Sequence, residues 1–242
     1  MDILLCCDTS TTFLTLGLCS RKRVRGAPMQ MLGELTFNAG RRHAETLLPA
    51  TQQLLGQCSL TLQDVTLLVV TTGPGSFTGL RIGVAAWKGL AYALNLPLIG
   101  VPTLDALSRL HPWNDVTVCT LLDAKMSEVF AATYVFKNAQ RETLREAAAL
   151  PPEQAIAGLP ADTVFCGDGA LRYADDIRAQ YPNAPLLNEG WSAPRATALA
   201  MEAFYRYDAG MPHDAARVEP VYLRQTQAET NRDLREAAAR EA

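Results

Sequence analysis

Residues 71–83 read TTGPGSFTGLRIG. The run before them, 65–71, is apolar and β-branched, which suits a strand buried on both faces. The run after them, 80–94, is mostly apolar and spaced as a helix. A strand, a glycine loop and a helix in that order admit two readings. In the first, Gly73, Gly75 and Gly79 let backbone N–H groups approach an anion, Ser76 and Thr78 add hydroxyls, and the helix offers its positive end. The spacing does not match the standard phosphate loops, however. No lysine follows, as a Walker A loop requires. A dinucleotide loop needs its third glycine where Thr78 stands, and Gly79 comes one residue too late. In the second reading the glycines are structural: Gly79 and Gly83, four apart with Ala86 nearby, let another helix come close. The residues alone leave both readings open.

Working outward, 3–7 is a short apolar run ending in Asp8-Thr9-Ser10, a buried strand with a polar exit. Segment 13–19 alternates as its hairpin partner, and 32–37 is a third strand. The turn between them carries Arg21, Lys22, Arg23 and Arg25, read as a solvated hairpin tip. Residues 41–57 group leucines at helical spacing. Pro49 lies inside that helix and predicts a kink or a late start. A strand over 98–101 and a helix over 103–110 follow, then His111-Pro112-Trp113-Asn114, the best boundary. Beyond it come strands at 116–122, 129–136 and 163–166 and helices at 171–180 and 193–207. Segment 150–160 is proline-rich, 218–223 is extended, and a polar tail starts at Gln225. This order predicts an α/β protein with mixed sheets. It divides into lobes at 1–110 and 111–224 plus a tail at 225–242, with helix 193–207 free to pack back on the first lobe.

The composition narrows the function classes. Of 242 residues, 48% are hydrophobic and 19% charged, enough for a sizeable core. The net charge of −3 shows no basic excess, so contact with RNA would need a partner. The six cysteines form no CxxC pair and read as buried hydrophobes in a reducing cytosol. No apolar run reaches transmembrane length, and the start is wrongly flanked for a signal peptide, so a cytoplasmic protein is expected. Three histidines, His43, His111 and His213, form no metal spacing, and no GxSxG surrounds Ser76. Asp8 and Asp168 each follow a strand, where they could hold Mg²⁺ beside phosphates or simply cap a turn.

Taken together, ILLCCDTS, RRHAETLLP, GPGSFTGLRIG with the helix after it, LLDAKMSEVFAATY, FCGDGA and EPVYLR resemble the TsaB (YeaZ) family across nearly all of the chain before Gln225. The resemblance implies a two-lobed actin-like fold of the ASKHA, ribonuclease H-like class. It also implies a non-catalytic subunit that binds the transferase TsaD and acts with the ATPase TsaE. That assembly attaches a threonylcarbamoyl group to N6 of adenosine 37 in tRNAs reading ANN codons (t6A formation). TsaD-like sequences carry an HxxxH metal pair after the next strand, where this chain has Thr103 and Leu107, so no catalytic metal or cofactor is expected. Family partner surfaces are built from the two first-lobe helices. Here that implies His43, Leu47, Leu54, Gly79, Ile82, Gly83, Ala86, Trp87 and Leu90 at an interface with TsaD, or with a second copy when the chain is alone, with tRNA reached indirectly. Asp8, Thr9, Ser10 and the 73–79 loop would be a vestigial phosphate site. An ATP-dependent phosphotransferase of the same fold is the alternative, and a glycoprotease-like peptidase the weaker one.

Overall fold

The computed structural model describes residues 1–111, 115–138 and 140–224. Three strands open the chain: β1 (Asp2–Asp8), β2 (Phe13–Arg21) and β3 (Met29–Asn38), joined as antiparallel neighbours. Helix α1 (His43–Gln57) carries the chain across to β4 (Leu67–Gly73), which pairs parallel to β1. Helix α2 (Phe77–Leu94) carries it on to β5 (Leu98–Pro102), parallel to β4. The resulting sheet has the order β3-β2-β1-β4-β5. Parallel pairs need crossovers of this length, so the tight turns are confined to the antiparallel half.

β1 is apolar on both faces because both faces are covered. Leu5 and Cys7 point to α1 and α2, meeting Leu47, Leu54, Val84 and Trp87. Leu4 and Cys6 point the other way, to Leu199, Ala200 and Ala203. That is the alternation a strand imposes on neighbouring side chains. The second contact comes from α7 (Ala196–Asp208), which lies late in the sequence yet packs on the first sheet.

The short helix α3 (Thr103–Ser108) leads to a second sheet. β6 (Thr117–Lys125), β7 (Glu128–Lys137) and β8 (Gln140–Leu150) are antiparallel neighbours. α4 (Pro152–Ile156) then leads to β9 (Val164–Cys166), parallel to β6, giving the order β8-β7-β6-β9. The second sheet thus repeats the first four strands' logic of two hairpins, a helix and a parallel return. α5 (Asp168–Arg172) and α6 (Ala174–Gln180) cover one face through Ala170 and Ile177. α3 covers the other through Leu104 and Leu107, while its Ala106 belongs to the core under α7. One short helix is therefore shared by both lobes.

Departures from the sequence reading have local causes. α1 runs unbroken through Pro49. Proline removes the donor for the Glu45 carbonyl, but both residues are exposed, so water can replace it. The helix expected over 171–180 is split at Tyr173, whose φ of −107° and ψ of 31° break the run. β8 was not anticipated, because its Ala, Arg and Glu content favours helix and only pairing to β7 makes it a strand. Segment 112–114 of the expected boundary and the tail from Gln225 lie outside the described residues.

Candidate functional site

The glycine loop is built against the exit of β1. Ser76 N-caps α2, its hydroxyl accepting from the Gly79 N–H at 3.2 Å. The Ser76 N–H itself donates to the Ser10 carbonyl at 2.6 Å. Thr9 donates its hydroxyl to the Gly79 carbonyl at 2.7 Å. A Cβ on Gly79 would lie 2.0 Å from the Thr9 carbonyl oxygen, and one on Gly83 would lie 2.3 Å from the Thr9 hydroxyl. The glycines therefore admit the chain's own 8–10 segment. The small face of α2 packs inward on Thr9, not outward on a helix of another subunit.

Asp8 is fully buried at the end of β1. One carboxylate oxygen accepts from the Thr71 hydroxyl at 2.7 Å and the Ser10 N–H at 3.1 Å. Burial pushes its carboxyl above the usual carboxylate range, and the Ser10 and Thr71 bonds only partly offset this. In the native state the proton is thus held more tightly than in the unfolded chain. Stability contributed by this group is full at low pH and falls as pH rises into the raised folded range. Asp8→Asn, which cannot ionise, is expected to lose that decline. Melting curves of the two proteins across pH 4–8 should diverge in favour of the variant as pH rises, and parallel curves would contradict this.

Between the lobes lies a cleft of about 860 Å³. The loop side contributes Ser10, Gly75, Ser76 and Arg41, and the second sheet contributes Asp123, Lys125 and Asp168. Asp168 accepts the Asp123 N–H at 2.9 Å, and burial raises its carboxyl. Asp123 is also partly buried, but Lys125 and then Arg172, bonded at 2.5 and 3.0 Å, hold its carboxyl below the usual range. Asp8 stands behind Ser10 and does not line the cleft, so the two carboxylates weighed as Mg²⁺ ligands are not brought together there. Among the described residues no cluster of three or more His, Cys, Asp and Glu side chains could hold a metal ion. Also among them, no helix is long and apolar enough to cross a membrane.

The residues expected at an interface divide by burial. His43, Leu47, Leu54, Gly79, Gly83 and Trp87 are buried within the chain's own fold. His43 Nε2 lies 3.2 Å from the Phe13 carbonyl, and the Trp87 indole N–H points to the Leu5 carbonyl at 3.4 Å. Ile82, Ala86 and Leu90 are half-buried against the same core. The exposed positions of the helix pair are a mixed set, with Ala44, Leu48, Ala85, Gly89, Tyr92 and Ala93 beside the polar Glu45, Gln52, Gln53 and Arg81. Leu48 is 51% exposed and Tyr92 63%. Helical spacing grouped residues that the fold turns toward its own core. Both helices are apolar enough to blur the stripe that faces the sheet.

With this geometry in view, the comparisons with known proteins are informative. One curated relative is "tRNA threonylcarbamoyladenosine biosynthesis protein TsaB" of Haemophilus influenzae. It is 31% identical over 235 residues, covering 91% of this chain and 93% of the relative. The chain belongs to the TsaB family. A family model described as "TsaD: tRNA N6-adenosine threonylcarbamoyltransferase" matches residues 37–231, so the chain also belongs to that wider family. TsaB of Escherichia coli is 41% identical over 97 residues, 39% of this chain and 42% of its own. Among solved structures, YeaZ from Pseudomonas aeruginosa superposes with a TM-score of 0.75 at 28% identity, over 92% of this chain and 100% of that one. The fold is accordingly the two-lobed actin-like α/β class, and the family ties the chain to threonylcarbamoyladenosine biosynthesis.

Proposed function

We propose that this TsaB-family chain is a non-catalytic subunit that docks a TsaD-type transferase. Together with a TsaE-type ATPase, it supports threonylcarbamoyl transfer to N6 of adenosine 37 in tRNAs reading ANN codons. The observation that carries the reading is the outward face of α1 and α2. There Leu48 and Tyr92 stand exposed among small residues and the polar Glu45, Gln52, Gln53 and Arg81, on a chain similar over its full length to TsaB. Large exposed apolar side chains with a polar rim are a common feature of association sites. Without the transferase the same face would pair two copies of the chain. The cleft supports the non-catalytic part of the reading, because the loop that could cradle a phosphate spends its Ser76 N–H on Ser10.

The test is a modification assay with the transferase, the ATPase, threonylcarbamoyl-AMP and unmodified tRNA. Omitting this chain is expected to abolish t6A formation, and restoring it should recover the product. Undiminished modification without the chain would reject the docking role. Modification by the chain alone would reject the non-catalytic one.

A further inference from the structure

Residues 218–224 pass along the cleft, which 221–224 line, and the segment is fastened on both sides of it. On the first lobe, the Val221 N–H donates to the Thr72 carbonyl at 2.7 Å. The Val221 carbonyl sits where a Cβ on Gly73 would be, 2.6 Å away, and Gly73 has φ +115°. Only glycine allows that approach. Tyr222 stacks on Phe77 with ring centroids 4.9 Å apart. Its hydroxyl accepts from Arg81 Nε at 3.0 Å, and the Arg81 guanidinium lies 3.8 Å over the Phe77 ring. Lys88 adds donations to the Ala216 and Val218 carbonyls at 3.3 and 3.0 Å. On the second lobe, Arg224 donates to the Ala124 carbonyl at 3.3 Å and to the Glu128 carboxylate at 3.1 Å. Val221, Tyr222, Leu223 and Arg224 all line the cleft.

We propose that 218–224 is an intramolecular strap. It forms one wall of the cleft and, bonded to both lobes, fixes their separation on that side. The lobes are already pinned elsewhere by α3, which both cores share. This inference does not depend on which partner covers α1 and α2.

A strap differs from an ordinary surface segment in coupling its two ends. Cutting one anchor should loosen the other. Tyr222→Ala removes the first-lobe anchor, and Arg224→Ala removes the second-lobe one. Hydrogen exchange on the full chain should show the amides of 72–76 and of 123–128 opening about tenfold faster in both variants. Amides in the middle of β1 and β7 should keep the wild-type rate. Arg224→Lys, which keeps the charge but loses the forked donor geometry, should give the same pattern at smaller amplitude and guards against a failure of either alanine variant to fold. If each variant disturbs only its own end, or neither end, the strap is overturned. A uniform rise across both sheets would also overturn it, since the segment would then be part of the core.

Discussion

Replacing Gly83 by leucine is expected to destabilise the fold itself by about 3 kcal/mol, lowering the melting temperature by roughly 6–12 °C. Even the first carbon of the new side chain would lie 2.3 Å from the Thr9 hydroxyl. That hydroxyl is not free to swing away, because it is committed to the Gly79 carbonyl at 2.7 Å. Thr9 is fully buried between Asp8 and Ser10, so the strain passes into the β1 exit. The reading of Gly79 and Gly83 as a face open to another helix would have this substitution spare the fold and break only subunit association. The inward orientation of Gly83 reverses that expectation. Thermal melts and association measured on the same sample decide it: an unchanged melting temperature with lost association would restore the original view. Gly89→Leu is the matched control for the melt alone, because nothing lies within 4 Å of a Cβ there.

The second large effect concerns the ion cluster that joins the lobes away from the cleft. Glu202 on α7 is fully buried. It accepts from Arg109 Nε at 2.8 Å, from Arg206 Nε at 2.9 Å, and from both terminal nitrogens of Arg141 at 3.1 and 3.2 Å. Asp105 on α3 completes the set, accepting from Arg141 at 2.8 Å, Arg206 at 2.6 Å and the Tyr134 hydroxyl at 2.8 Å. Three guanidinium groups thus share two carboxylates across α3, α7, β7 and β8. Burial, then the neighbouring Asp105 charge and hydrogen bond, raise the Tyr134 phenol, so it stays a donor at any working pH.

Glu202→Ala would leave the buried Arg109 and the part-buried Arg141 and Arg206 facing one carboxylate. Breaking such a set by removing one partner costs about 3–5 kcal/mol, because the remaining charges stay desolvated. Denaturant unfolding should show a loss of that size, and hydrogen exchange should localise it to α7 and the β7–β8 pair. A loss under about 1 kcal/mol would mean that the cluster behaves like exposed ion pairs.

How legible all this was in the sequence depended on the kind of signal. The first sheet could be read closely, because β1, β2 and β4 are apolar and bounded by turns, and β4 is β-branched as well. The glycine loop's type was legible, but its direction was not. Spacing shows that Gly79 and Gly83 share a face of α2, while only the fold shows that Thr9 occupies that face. β8 was missed because an edge strand of alanines and charges owes its form to β7. The lobe-joining cluster was missed for a related reason. Asp105, Arg109, Tyr134, Arg141, Glu202 and Arg206 are scattered over about a hundred positions, and each alone looks like a solvated charge or a core aromatic. The strap gave no signal beyond an extended stretch, because its partners Thr72, Phe77 and Glu128 are set by the lobes' juxtaposition.

The most direct test of the docking proposal is a calorimetric titration of this chain into a TsaD-type transferase, comparing wild type with Ala85→Arg. Ala85 is exposed on α2, so the variant should melt with the wild type while placing a charge in the outward face. Wild type is expected to bind at one-to-one stoichiometry and Ala85→Arg at least about tenfold more weakly. Equal affinities, or no binding by the wild type, would contradict a docking surface on this helix pair.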